Sequence, residues 1–283
     1  MEFVYEIVQF IIYTGLIVLI SKYILVKTLR NLAENLKLKP KTVGNIAGIA
    51  TSVPELLTIC VSSYSGLMSA SIYNVLSSNV INLIQYYGAI ILNKNQKYLK
   101  NKAIKVDLFL VILTIILPIV FIAVKSELQI IMVPVLILLY LGFRKIDNNA
   151  HKLYLKHQDK EIEEIQNKED RWERGNKRKI VKNTLILGLT GILLFIIGNL
   201  LGDTLENLCL RFNVPQLIIG IILGIVTSIP ELITFFESQK HYSKNKDDIL
   251  GVVEATNNLL TSNMMNLFII QSLGIIVFTI FYG

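Results

Sequence analysis

The sequence predicts an all-α, polytopic membrane protein of about eight transmembrane helices, with two inverted repeats whose helices break at a polar centre. Three observations carry this. Hydrophobic residues make up 53% of the 283 and charged residues only 17%, against roughly a quarter charged in ordinary globular domains. Apolar stretches near the ~20 residues that cross a bilayer recur along the whole chain. One polar motif occurs twice, each time inside such a stretch. The composition excludes disorder and a soluble nucleic-acid binder, and lipid is the expected solvent.

Taken in order, the expected spans are residues 4–26, 43–64, 67–92, 106–124, 128–143, 181–201, 214–236 and 249–281. The first is too long, and too uncharged at its start, for a secretory signal and is expected to be retained. The fifth is short. The eighth is long and carries many polar residues. Between the fifth and sixth, residues 144–182 mix both charge signs and read as a solvated cytoplasmic linker, part helical with i,i+4 charge pairs, with a regulatory ion or lipid site as the alternative. The chain then divides into a five-helix half (1–143) with a first repeat at 43–84, a charged linker (144–181), and a three-helix half (182–283) with a second repeat at 219–268.

The net charge of +7 is explained by where the basic residues fall. Lys27, Arg30, Lys37, Lys39 and Lys41 follow the first span. Lys94, Lys97, Lys100, Lys102 and Lys105 follow the third. Residues 144–182 hold twelve, and Lys240, Lys244 and Lys246 follow the seventh, for 25 of the 28 basic residues. Basic loops stay in the cytoplasm. The pattern places both termini outside, in the cell membrane, and the 144–182 linker inside.

Residues 43–58 read VGNIAGIATSVPELLT and residues 219–234 read IGIILGIVTSIPELIT, identical at ten of sixteen positions. A second block follows each: NVLSSNVINLI at 74–84 and NLLTSNMMNLF at 258–268. By the charge rule the first copy enters the membrane from inside and the second from outside. Inverted copies with interrupted helices are a design of secondary transporters, whose site lies near the midplane where the copies meet.

The residue types at that meeting point suit a cation. A carboxylate within an apolar span costs at least a few kcal/mol unless compensated, and the cost is incurred twice, at Glu55 and Glu231. The plain alternative is a protonated Glu that holds a helix contact. Pro54 and Pro230 remove a backbone N–H, freeing the carbonyls of Ala50 and Val226 and breaking or kinking each helix. Ser52 with Glu55, and Ser228 with Glu231, fit an S-x-x-E capping box that would start a new half-helix. Freed carbonyls, the hydroxyls of Thr51, Ser52, Thr227 and Ser228, and one carboxylate thus meet at each break. Hard cations take such oxygen ligands. In the second block, Asn74, Ser78 and Asn82 share one helix face, as do Asn258, Ser262 and Asn266. Asn82 and Asn266, deep in their helices, are favoured as ligands. Asn74, Asn79, Asn258 and Asn263 read rather as hydrogen-bonded glue between helices.

These blocks resemble the α-repeats of the calcium/cation antiporter superfamily, the sodium/calcium exchanger family. The resemblance rests on TSVPEL at 51–56, TSIPEL at 227–232 and the N-x-x-x-S-N-x-x-N patterns from Asn74 and Asn258. It implies a secondary active antiporter that exchanges Ca2+ for Na+ by alternating access, with Ca2+ and Na+ as transported ions and no covalent cofactor. It implies Glu55 and Glu231 as ion ligands, and Ser78 and Ser262 as sodium ligands. It places Asn82 and Asn266 at central positions and makes the first and sixth helices a sliding gate. This chain departs from the family pattern in Ala50 and Val226, where the family usually has Gly. It also has Asn at both central positions, where one is often Asp. Family exchangers often have ten helices. Only 17 residues follow Asn266, so the second half is expected to lack its last two. Proton or potassium coupling, and a partner-dependent protein that keeps the ion site without transporting, are the alternatives.

An enzyme is not expected: G-x-S-x-G, H-E-x-x-H and the P-loop are all missing. Cys60 and Cys209 lie in or beside apolar stretches, which leaves no disulfide framework. His151, His157 and His241 fall in charged segments, which argues against a histidine metal site on a helix.

Overall fold

The computed structural model describes residues 2–28, 31–32, 40–123, 130–154, 177–243 and 248–283. The elements are all helical. In chain order they are α1 (Glu2–Ile20), α2 (Pro40–Thr51), α3 (Val53–Tyr64), α4 (Met68–Leu92), α5 (Lys102–Ala123) and α6 (Met132–Tyr154). There follow α7 (Lys177–Glu206), α8 (Gln216–Thr227), α9 (Ile229–Ser243), α10 (Asp248–Met264) and α11 (Gln271–Tyr282). Six-residue π-helical turns extend α1 (Ser21–Val26) and join α10 to α11 (Met265–Ile270).

Among the described residues, seven helices are long and apolar enough to cross a membrane. They match seven of the eight expected spans, with α2–α3, α8–α9 and α10–α11 each forming one crossing. The fifth expected span is α6. Its apolar run gives out at Phe143, but the helix continues eleven residues to Tyr154, into the stretch expected to be a solvated linker. The reason is packing: Asp147 and His151, four residues apart, turn inward against α5. Residues 155–176 lie outside the described part.

The breaks fall where proline predicts them. A single residue, Ser52 (φ −80°, ψ 1°), separates α2 from α3, and Ser228 (φ −78°, ψ 0°) separates α8 from α9. The capping boxes do not form. Ser52 Oγ instead donates back to the Gly48 carbonyl (2.9 Å), and Ser228 Oγ to the Gly224 carbonyl (2.7 Å). Each hydroxyl satisfies a carbonyl of the turn it already adjoins, and the break stays one residue long.

The repeats are interlocked. The first half-helix of each packs on the second-block helix of the other: α2 on α10, and α8 on α4. Two G-x-x-x-G pairs permit the approach. A Cβ on Gly48 would lie 2.7 Å from the Asn258 carbonyl oxygen, and one on Gly224 2.8 Å from that of Asn74. Small residues at this spacing let helix backbones touch in lipid. α1 and α7 pair with each other at the periphery, with many large apolar side chains exposed.

Candidate cation-binding site

Both breaks and both second blocks converge on one buried polar centre. Thr51, Ser52, Glu55, Ser78, Asn82, Thr227, Ser228, Glu231, Ser262 and Asn266 are each at most 1% exposed. The centre is stitched across the repeats. Ser52 Oγ lies 3.0 Å from Ser262 Oγ, and Ser228 Oγ faces the Ser78 carbonyl at 3.5 Å. Asn266 Nδ2 donates to Ser78 Oγ (3.3 Å), and Asn82 Nδ2 to Ser262 Oγ (3.4 Å). The Thr227 hydroxyl donates to the Leu223 carbonyl (2.9 Å) and that of Thr51 to the Gly48 carbonyl (3.3 Å).

The free atoms show what the centre lacks. Both carboxylate oxygens of Glu55, one oxygen of Glu231, and the amide oxygens of Asn82 and Asn266 are buried without a hydrogen-bond partner among the described residues. The amide nitrogens are all engaged, Asn82 with Asn263 Oδ1 (3.1 Å) and Asn266 with Asn79 Oδ1 (3.3 Å). The donors are thus used up and the acceptors left open. Leaving a buried acceptor unsatisfied costs about 1–3 kcal/mol, more for a charged group. A hard cation that takes oxygen ligands would relieve it.

The remaining asparagines act as glue. Asn79 and Asn263 exchange Nδ2-to-carbonyl bonds across α4 and α10 (3.3 and 3.1 Å). Asn74 Nδ2 donates to Thr58 Oγ1 (2.7 Å), and Asn258 Nδ2 to Thr234 Oγ1 (2.5 Å). Thr58 and Thr234 were not singled out in the sequence, although their identity at matched repeat positions was a usable signal. Outside the centre, His151 lies on α6, buried, against Asp107 and Asp147. The four-residue spacing of Asp147 and His151, and a lone Asp in the apolar 106–124 stretch, were the signals for it.

A bundle of broken helices around a buried, duplicated carboxylate centre defines a multi-pass membrane protein of the ion-transporter class. The chain belongs to the sodium/calcium exchanger protein family, whose model matches residues 6–144 and 182–282. It is accordingly a cation exchanger by family, and not an enzyme. Among solved structures it is similar to the sodium-calcium exchanger NCX_Mj soaked with 10 mM Na+ and zero Ca2+. Identity is 20%, with 95% of this chain and 82% of that one covered and a TM-score of 0.52. It is also similar to the same exchanger soaked with 2.5 mM Na+ and 10 mM Sr2+, at 21% identity, covering 97% and 83%, with a TM-score of 0.51. At that identity the likeness shows the fold. No curated protein matches the chain.

Proposed function

We propose that this protein is a secondary active antiporter that exchanges Ca2+ for Na+ by alternating access, with both termini outside the cell. The observation that carries the reading is the set of open acceptors on Glu55, Glu231, Asn82 and Asn266 at duplicated, fully buried positions. Thr51, Ser52, Thr227, Ser228, Ser78 and Ser262 supply further oxygens. Two carboxylates neutralise one Ca2+. One Na+ leaves a net negative charge, so the same centre holds either cargo with different residual charge, and exchange rather than joint occupancy follows. The repeats run in opposite directions, so a centre built from both faces either side when the bundle shifts.

α1 and α7 are suited to be the moving part. Glu6 Oε1 accepts from Asn207 Nδ2 (2.9 Å) and Glu2 Oε2 from Arg211 (2.7 Å), which ties the pair at one end. Their exposed apolar faces leave them free to slide in lipid. The test is Ca2+ uptake into proteoliposomes under imposed Na+, K+ or proton gradients. Uptake driven by an outward Na+ gradient is expected. Flux driven only by K+ or protons would change the counter-ion, and no flux under any gradient would overturn transport by the chain alone.

A further inference from the structure

Away from the central site, two helices bring a second set of metal-ligating groups together at the end of the bundle that carries the basic loops. Asp107 lies on α5, and Asp147 and His151 one turn apart on α6. Their side chains are buried, and one ligand atom from each lies within 4.8 Å of the others. His151 Nε2 is 2.8 Å from Asp107 Oδ2 and 3.4 Å from Asp147 Oδ1. A tetrahedral zinc site with bonds of about 2.0–2.2 Å requires ligand atoms about 3.3 Å apart, and the two distances bracket that edge.

Hydrogen bonds account for only part of this arrangement: His151 Nε2 pairs with Asp107 Oδ2, and Lys41 donates to Asp147 Oδ1. Two carboxylate oxygens converge on one ring nitrogen, which carries a single proton at most. Asp107 Oδ1, Asp147 Oδ2 and His151 Nδ1 are buried with no hydrogen-bond partner among the described residues. One cation balancing the cluster comes from α2: Lys41 Nζ lies 2.7 Å from Asp147 Oδ1. The Lys41 side chain is 21% exposed, so it has a route to water. Arg144 is 3.7 Å from Asp147 Oδ2 and donates to Asn45 on α2 (3.4 Å). Lys41 and Arg144 offset the two carboxylates.

We propose that Asp107, Asp147 and His151 form a binding site for a divalent transition-metal ion of the zinc class, and that Lys41 is its built-in competitor. One imidazole nitrogen and two carboxylate oxygens are donors that zinc accepts, and their mixed N,O character suits it better than calcium. An entering ion takes the Asp147 oxygen from Lys41, whose ammonium moves to water. Lys41 is the second residue of α2, the half-helix that ends at Thr51. Metal binding therefore loosens the tie between α6 and the half-helix that leads to the central site. This site does not depend on the identity of the transported ions.

The test uses purified, untagged, full-length protein titrated with Zn2+ by calorimetry and with Co2+ by visible absorption, whose bands report coordination. One metal per chain is expected, with Glu231→Gln leaving it intact. His151→Gln and Asp107→Asn should each weaken Zn2+ binding at least tenfold. Lys41→Met should strengthen it at least tenfold, and Zn2+ should raise the melting temperature of Lys41→Met more than that of the unaltered protein. Absence of binding, or binding unchanged by His151→Gln, overturns the proposal. If neither the histidine nor the aspartate variant folds, Lys41→Met decides alone, and equal or weaker binding there overturns it. Loss of metal binding in Glu231→Gln would assign the ion to the central site instead.

Discussion

The two repeats are close copies in sequence and unequal in structure. In the second, Ser262 Oγ donates to Glu231 Oε1 at 2.9 Å. In the first, Ser78 donates instead to the Val75 carbonyl (3.1 Å), and both oxygens of Glu55 stay open. α4 runs unbroken through Asn82, whereas a π-helical turn carries Asn266. Such turns mark functional sites in many helices. Beyond the centre, Ser238 donates to Glu254 Oε1 (2.6 Å), while the position matching Glu254 is Ala70. Matched residues thus divide one task unevenly: one carboxylate is pre-positioned by a hydroxyl and the other is left to the ion.

That inequality can be broken most directly at the carboxylates. Glu55→Gln and Glu231→Gln each remove half the charge of the centre. Stranding one buried charge partner costs about 3–5 kcal/mol, which corresponds to a loss of Ca2+ affinity of roughly 150- to 5000-fold. Glu55→Gln should be the worse, because neither of its oxygens is otherwise engaged. Calorimetry on both variants measures this, with the exposed Glu206→Gln as control. Three equal, small effects would mean that the ion binds elsewhere.

The interlock of the repeats should respond next, and symmetrically. Gly48→Ala and Gly224→Ala each push a methyl into the backbone of the facing helix. Overpacking of this kind costs about 1–3 kcal/mol. Both variants should melt lower in thermal unfolding, by similar amounts. A variant that melted unchanged would show that its half-helix can shift away from its partner.

The finest contrast lies in the two serines. Ser262→Ala removes a hydrogen bond to a charged group, worth about 1.5–3 kcal/mol, and should weaken Ca2+ binding roughly tenfold or more. Ser78→Ala removes a bond to a carbonyl, worth about 0.5–1.5 kcal/mol, and should do less. Paired titrations of the two variants check the order. A reversed order would place the pre-positioned carboxylate in the first repeat.

Much of this was legible beforehand, for identifiable reasons. Spans follow from hydropathy because lipid supplies no hydrogen bonds, so the backbone must pair within each helix. Breaks follow from Pro54 and Pro230 because a missing N–H is a covalent fact. The duplicated Glu, Ser and Asn positions follow from the repeat. The capping boxes do not form because a serine hydroxyl chooses between two backbone partners, and here each closes on the carbonyl four residues back. The inward turn of Asp147 and His151 is not legible in the sequence because Arg144, Asp147 and His151 look solvated one by one.

The sequence by itself determined that the chain is a helical membrane protein, where its helices break, and which oxygen-bearing residues recur at the breaks. These are local or periodic properties, set by covalent structure and by transfer between water and lipid. Only the tertiary structure decided that α2 seats on α10 and α8 on α4. It also decided that Glu231 is held while Glu55 is open, and that Lys41, Asp107, Asp147 and His151 meet. Those contacts join residues up to about two hundred positions apart. A side chain's partner at that range depends on how the helices pack, and packing is not written at any one position in the chain.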